Sequence, residues 1–161
     1  MSAPDREAYA ARQAQLLDSL LRGEGFPAGF VAAQADAAGS ALRRKRAHAV
    51  ALAWPALALY LGEAFAARFD AFTRGAGASA SGDPRRDGLA FARSIAACGE
   101  PIGDDVRVEM LLARAALRRR GVWVQAAWLQ RPYRRLLVVA RVPFAGVLQR
   151  SFAPRRALRA W

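Results

Sequence analysis

RRRGVWVQAAWLQRPYRRLLVVARV, residues 118–142, decides the fold. Before it, apolar residues recur at helical spacing. From Gly121 onward they recur at every second position and are mostly β-branched or aromatic, which is the period of a strand. Val122–Gln130 and Arg134–Val142 therefore read as two antiparallel strands, with Gln130-Arg131-Pro132-Tyr133 between them. Alternation groups Val122, Val124, Ala126 and Trp128 on one face with Leu136, Val138, Ala140 and Val142. These are expected to form the core face. The other face carries Trp123, Gln125, Leu129, Arg135, Val139 and Arg141, apolar residues interleaved with arginines, and is expected to look outward. Two strands alone are marginal in water. The hairpin needs a third strand, for which Val147–Phe152 is the candidate, or else a partner.

Working back toward the N-terminus, every segment reads as helix. Asp104–Arg120 opens with Asp104 and Asp105 and closes on three arginines, an order that complements the helix dipole. Asp87–Ala97 is a second helix. Residues 75–84, GAGASASGDP, are small and polar and read as a flexible linker or loop. Glu63–Thr73 is expected to turn Phe65, Phe69 and Phe72 inward, and Ala56–Leu61 is a short helix ended by Gly62. Trp54-Pro55 breaks the chain, because proline disfavours helix in the residue before it yet suits a first helical turn. An alanine-rich helix precedes that break, with Arg43-Arg44-Lys45-Arg46 in its middle. A loop, Gly23–Phe30, separates it from a first helix with Tyr9, Leu16, Leu17, Leu20 and Leu21 on one face. The expected fold class is α+β, mainly α: a helical domain (1–74), the linker (75–84), and helices plus a hairpin (85–161).

The 161 residues, 54% hydrophobic, suffice for the core of one domain or of two small ones. A single cysteine, Cys98, and a single histidine, His48, exclude an intrachain disulfide. They also leave too few ligands for a zinc site or a Cys/His nucleophile pair. Asp104 and Asp105 are adjacent, so regular structure points them apart, and helix capping is the expected role for them and for Asp83 and Asp87. No glycine-rich loop carries a following Lys-Ser/Thr. Enzymatic activity is not expected of this chain, nor a cofactor or metal within it. The longest uncharged run, Ala47–Leu61, falls short of the ~20 apolar residues of a membrane span. The polar, charged N-terminus does not read as a secretory signal, so the expected location is the cytoplasm.

The formal net charge of +12 is unevenly placed. Residues 1–106 hold 12 basic and 12 acidic side chains, whereas residues 107–161 hold 13 arginines against the single acid Glu109. A region of one sign attracts a partner of the other. The run Arg43–Arg46 spreads around its helix and reads as a solvated, partly salt-bridged face. The hairpin reads instead as a binding surface. An acidic peptide could add to its edge as a further strand, or exposed bases could stack on its aromatic residues. The residues expected to bind are Trp123, Gln125, Leu129, Arg131, Tyr133, Arg134, Arg135 and Arg141.

Several stretches resemble a known family: Leu20-Leu21-Arg22-Gly23 followed by Pro27-x-Gly29-Phe30, then Leu42-x-x-Lys45-Arg46. The most specific is Trp54-Pro55-x-Leu57-x-x-x-Leu61-Gly62-x-x-Phe65-x-x-x-Phe69, and Asp87-Gly88-x-x-Phe91-Ala92 follows it. Over roughly residues 16–98 the pattern is similar to the helical domain of the partner proteins of multinuclear non-haem iron-dependent oxidative enzymes (MNIOs), which modify ribosomally made peptides. The resemblance implies a non-catalytic partner subunit that binds the oxidase and holds the leader of its precursor peptide by strand addition, the iron being carried by the oxidase. The second expectation is a nucleic-acid-binding protein using the basic last third. The two differ in salt response, since duplex binding falls with log salt at a slope of about −0.9 per phosphate contacted. A third, weaker expectation is attachment to anionic membrane through the Arg/Trp tail, Pro154–Trp161.

Overall fold

The structure, a computed structural model of the chain, describes residues 3–22, 31–75, 82–118, 121–130 and 134–153. The fold is α+β and mainly α, with six helices among the described residues followed by a three-stranded antiparallel sheet. The chain divides into two compact units, Met1–Glu100 and Pro101–Trp161.

The first unit contains α1 (Ala3–Arg22), α2 (Ala32–Ala53), α3 (Pro55–Leu61), α4 (Ala64–Arg74) and α5 (Pro84–Ala97). The break at Trp54-Pro55 falls where the sequence places it. Trp54 leaves helical geometry at φ −134°, ψ 63°, and Pro55 opens α3 in the first turn, where a missing N–H costs nothing. Residues 5–15 of α1 are exposed, Tyr9 among them, and only Ser19 and Leu21 of the helix are buried. Asp83, not Asp87, caps α5: its carboxylate accepts from the Arg85 N–H at 2.9 Å, and the helix begins at Pro84.

Asp87 has a different role. It is 1% exposed and accepts from Arg46 Nη2 at 2.5 Å and Nε at 3.1 Å, joining α5 to α2. The next residue, Gly88, lies against the Trp54 indole, and a Cβ there would overlap the ring. Trp54 Nε1 donates to the Pro84 carbonyl at 3.2 Å, so the indole is fixed at both its edge and its face. Arg43 is also buried. It donates from Nε to Asp70 of α4 at 2.6 Å and from Nη1 to the Leu20 carbonyl at 2.9 Å. Gly39 permits this, since a side chain there would meet the same carbonyl. Of the cationic run, only Arg44 and Lys45 are solvated; Arg43 and Arg46 lie one turn apart on the face that α2 turns inward.

The apolar core lies between α2, α3, α4 and α5. Phe91 is ringed by Phe65 and Phe69 edge-on (5.9 and 5.3 Å) and by Phe72 at 5.2 Å, with Val50, Leu57 and Ile95 buried around them. Each such aromatic pair contributes about 0.5–1.5 kcal/mol beyond area burial. Because α5 packs on α2 and α4, the units part between Glu100 and Pro101 rather than within 75–84. Residues 76–81 of that expected linker, the Gly23–Phe30 loop and Pro154–Trp161 lie outside the described residues.

Two substitutions test this core. Asp87→Ala removes the carboxylate that faces the buried Arg46 guanidinium and should cost about 3–5 kcal/mol in urea unfolding, whereas the double change Arg46→Met/Asp87→Leu should recover most of that loss. Gly88→Ala should cost about 1–3 kcal/mol by forcing the Trp54 ring to move.

Candidate peptide-binding sheet

The second unit is built from α6 (Asp104–Leu117) and strands β1 (Trp123–Leu129), β2 (Arg135–Val142) and β3 (Gly146–Phe152), in the order β1-β2-β3. The third strand is the one the lone hairpin needed. Helix α6 stops at Leu117, and Arg118 is already extended. Gly121, at φ 82°, turns the chain into β1. The Asp104 carboxylate in the first turn of α6 accepts from the Gln130 N–H just past β1, tying the start of the helix to the end of the strand.

The register pairs Val124 with Ala140, Ala126 with Val138 and Trp128 with Leu136, the grouping that alternation predicts. The side of the sheet is the reverse of that expected. Leu129, Leu137 and Val139 are buried against Leu111 and Ala115 of α6, with Trp123 and Ala127 packed beside them. Val124 and Trp128 are 60% and 57% exposed. Period-two patterning defines the two sets of side chains, but the helix covers the one that carries Gln125, Arg135 and Arg141 beside its apolar residues, so hydropathy alone picks the wrong face.

The expected binding residues therefore separate. Trp123 and Leu129 belong to the core of the unit. Gln125 accepts from Arg114 of α6 at 3.5 Å, and Arg141 donates to the Ala116 carbonyl in the last turn of α6 at 3.4 Å. Arg135 is half-buried on the same face. Arg134, ahead of β2, is exposed, and Arg131 and Tyr133 lie outside the described residues. The face away from α6 consists of three cross-strand rows: Val124–Ala140–Leu148, Ala126–Val138–Arg150 and Trp128–Leu136–Phe152. Leu148 and Phe152 are 51% and 47% exposed, and the Arg150 guanidinium lies 5.6 Å from the Phe152 ring centre. All seven residues of β3, an edge strand, are exposed. At the β2–β3 turn, Phe144 adopts φ 70° and projects fully into solvent. Sequence reasoning missed Val124, Trp128, Leu148, Arg150 and Phe152. Their signal was present in the length of β3, whose alternation extends the Val124/Trp128 set rather than the Leu129/Val139 set.

Two other features belong to the helical unit. A groove of about 400 Å³ between α2 and α4 is lined by Ala47, Ala51, Phe65 and Ala66 with Arg44, His48 and Arg74 at its rim. Glu100 accepts from Arg68 at 2.6 and 3.1 Å and from Tyr60 at 3.1 Å. The Arg68 hydrogen bonds, foremost, hold the Glu100 carboxyl below its ordinary range despite some desolvation. That contact is therefore intact at neutral pH and loosens only as acid protonates Glu100. Among the described residues no three His, Cys, Asp or Glu side chains converge as metal ligands. No described helix is long and apolar enough to cross a membrane.

A mainly helical unit followed by a basic, half-covered sheet is the class of protein that fold and site define. Residues 10–97 match the family described as the SCO6045-like C-terminal domain, and the chain belongs to that family. The match spans the helical unit and ends before the sheet. No curated protein and no solved structure matches the chain.

The reversed parity is testable by paired truncations. Leu129→Ala should cost about 2–5 kcal/mol, as for a filled core position, while Trp128→Ala should cost about 1 kcal/mol or less. Denaturant unfolding followed by far-UV circular dichroism distinguishes them, and equal losses would place both faces under cover.

Proposed function

We propose that the chain is a non-catalytic, cytoplasmic partner subunit that holds the leader of a ribosomally made precursor peptide and presents it to an MNIO-type iron oxidase. The observation that carries this reading is the β3 edge. A fully exposed edge strand offers a row of backbone donors and acceptors to an extended chain, and natural proteins seldom leave such an edge uncovered without use. The sheet is also free of acids: no Asp or Glu occurs between Gly121 and Ala153. A leader added beside β3 would run past Arg150 in the strand and past Arg134 near the end where Phe152 pairs with Leu136. Acidic leader side chains would meet cations there and no competing carboxylate.

The resemblance of the helical unit to MNIO partner proteins supports the same reading. Its most specific stretch, from Trp54 to Phe69, supplies core residues of the α2–α5 packing. In this role the helical unit docks on the oxidase, which supplies the iron chemistry, and this chain contributes positioning alone.

The experiment is purification of the tagged protein from its own host with nuclease added to half of the lysate. Eluates are read by intact mass, iron content and absorbance ratio. An iron-bearing protein that survives nuclease is expected. Nuclease-sensitive material without iron would overturn the proposal and leave a nucleic-acid-binding protein. The edge is tested by Leu148→Pro and Gln149→Pro, adjacent residues whose N–H groups point to opposite sides of β3. Proline at the outward N–H leaves the β2 ladder intact and should weaken leader binding about tenfold or more. Unchanged affinity in that variant would remove the β3 edge from the reading.

A further inference from the structure

We propose that the sheet face away from α6 is a docking surface for an amphipathic helix of a partner protein, seated along the Val124–Trp128–Leu148–Phe152 face with one carboxylate on Arg150. This goes beyond strand addition at the β3 edge, because it uses side chains of all three strands.

Size supports a helix. Three strands span about 10 Å across and a seven-residue strand about 23 Å along. Those dimensions match the width of one helix and about 15 of its residues. An antiparallel sheet with a helix on one face commonly turns polar residues to solvent on the other, whereas this face turns out large apolar ones. The exposed residues include the large aromatics that anchor interfaces, Trp128 and Phe152, flanked by Val124 and Leu148.

Charge selects among occupants. Residues 101–161 carry 13 arginines against Asp104, Asp105 and Glu109, and all three acids lie on α6. A second copy placed face to face would bring two Arg150 side chains and two like-charged units together. Acyl chains would bury Arg150 within an apolar face at a desolvation cost that a carboxylate removes, and anionic headgroups are distinguished by the vesicle arm of the test. Nucleic acid is disfavoured by the parity of the strands. Arg135 and Arg141 lie on the α6 side, so Arg150 is the one arginine within the three paired rows of this face, too few for a phosphate backbone. An acidic protein helix with an apolar stripe satisfies both the aromatic rows and the central cation.

The test uses the full chain and two fluorescein-labelled 16-residue stapled helical peptides of equal composition. One has leucines at i, i+3, i+4 and i+7 with glutamates elsewhere, and the other has the same residues scrambled. The amphipathic peptide should bind saturably and the scrambled one about tenfold more weakly or worse. Trp128→Ser and Leu148→Ser should each weaken it about tenfold, Arg150→Gln should weaken it and lessen its salt dependence, and Leu59→Ser, in the helical unit, should not weaken it. Circular dichroism confirms that each variant is folded. Equal binding of the two peptides, or indifference to Trp128→Ser, overturns the proposal. So does binding of phosphatidylglycerol vesicles or a 20-mer duplex that Trp128→Ser abolishes while the peptide fails. A dimer in sedimentation that Trp128→Ser dissociates would assign the face to a second copy. Failure to recover an iron-bearing protein leaves this result standing, since peptide binding here is read without the oxidase.

Discussion

The buried contact between Arg46 and Asp87 is the constraint on which the helical unit depends. Helix α2 is rich in alanine, and such a helix has little apolar volume with which to reach its neighbours. It reaches them with arginines instead, Arg43 toward α4 and Arg46 toward α5. A buried ion pair adds little net stability over an apolar pair of the same shape, because both charges must leave water. It adds discrimination. A slip of α5 against α2 would leave a guanidinium and a carboxylate buried apart, which is far costlier than mismatched alkyl groups. The adjacent residue reinforces the same register: Gly88 takes the Trp54 ring, two helical turns further along from Arg46. Asp87-Gly88 thus holds one position in α5 against two points at the C-terminal end of α2, one electrostatic and one steric.

In the sheet unit the governing element is α6. Its last turn presents carbonyls that have no helical partner, and cations are favoured at such an end. Arg141 donates to the Ala116 carbonyl there. Once Arg141 is drawn to that side, period-two geometry carries Arg135, Val139, Leu137 and their β1 partners with it. The Arg141 head reaches a polar atom there while its stem stays half-buried. The opposite set is left exposed although it is the more uniformly apolar of the two.

The sequence made the element order legible because its punctuation is chemical. Pro55 after Trp54, Gly62 after Leu61, and Gly121 before a β-branched run each act through a single residue's backbone, independent of what packs nearby. What was not legible depends on pairs distant in sequence. Arg43 and Arg46 look solvated within a run of four cations, since the run by itself gives no sign that Asp70 and Asp87 lie opposite them. Asp87 looks like a cap because caps are local and its true partner lies 41 residues away. The strand faces failed for a related reason. Val122, Val124, Ala126 and Trp128 make a better core by hydropathy than Trp123, Gln125, Ala127 and Leu129, and hydropathy takes no account of a polar contact such as that of Arg141 with the end of α6.

That reversal changes how the positive charge should act in recognition. Thirteen arginines in 61 residues give the sheet unit a strong long-range field. Yet the two of β2, Arg135 and Arg141, do not line the open face, where Arg150 stands among apolar side chains. A field of this kind draws an acidic partner in and raises its encounter rate, while close-range affinity rests on what the partner touches. On the reading proposed here, that is the β3 backbone edge and the Trp128–Leu136–Phe152 row. Salt should then slow association far more than it hastens dissociation. A phosphate-bound complex behaves otherwise, because each neutralised phosphate contributes directly to equilibrium affinity. The parity of two strands, set by one helix end, thereby decides whether the same arginine-rich sequence steers a partner or grips it.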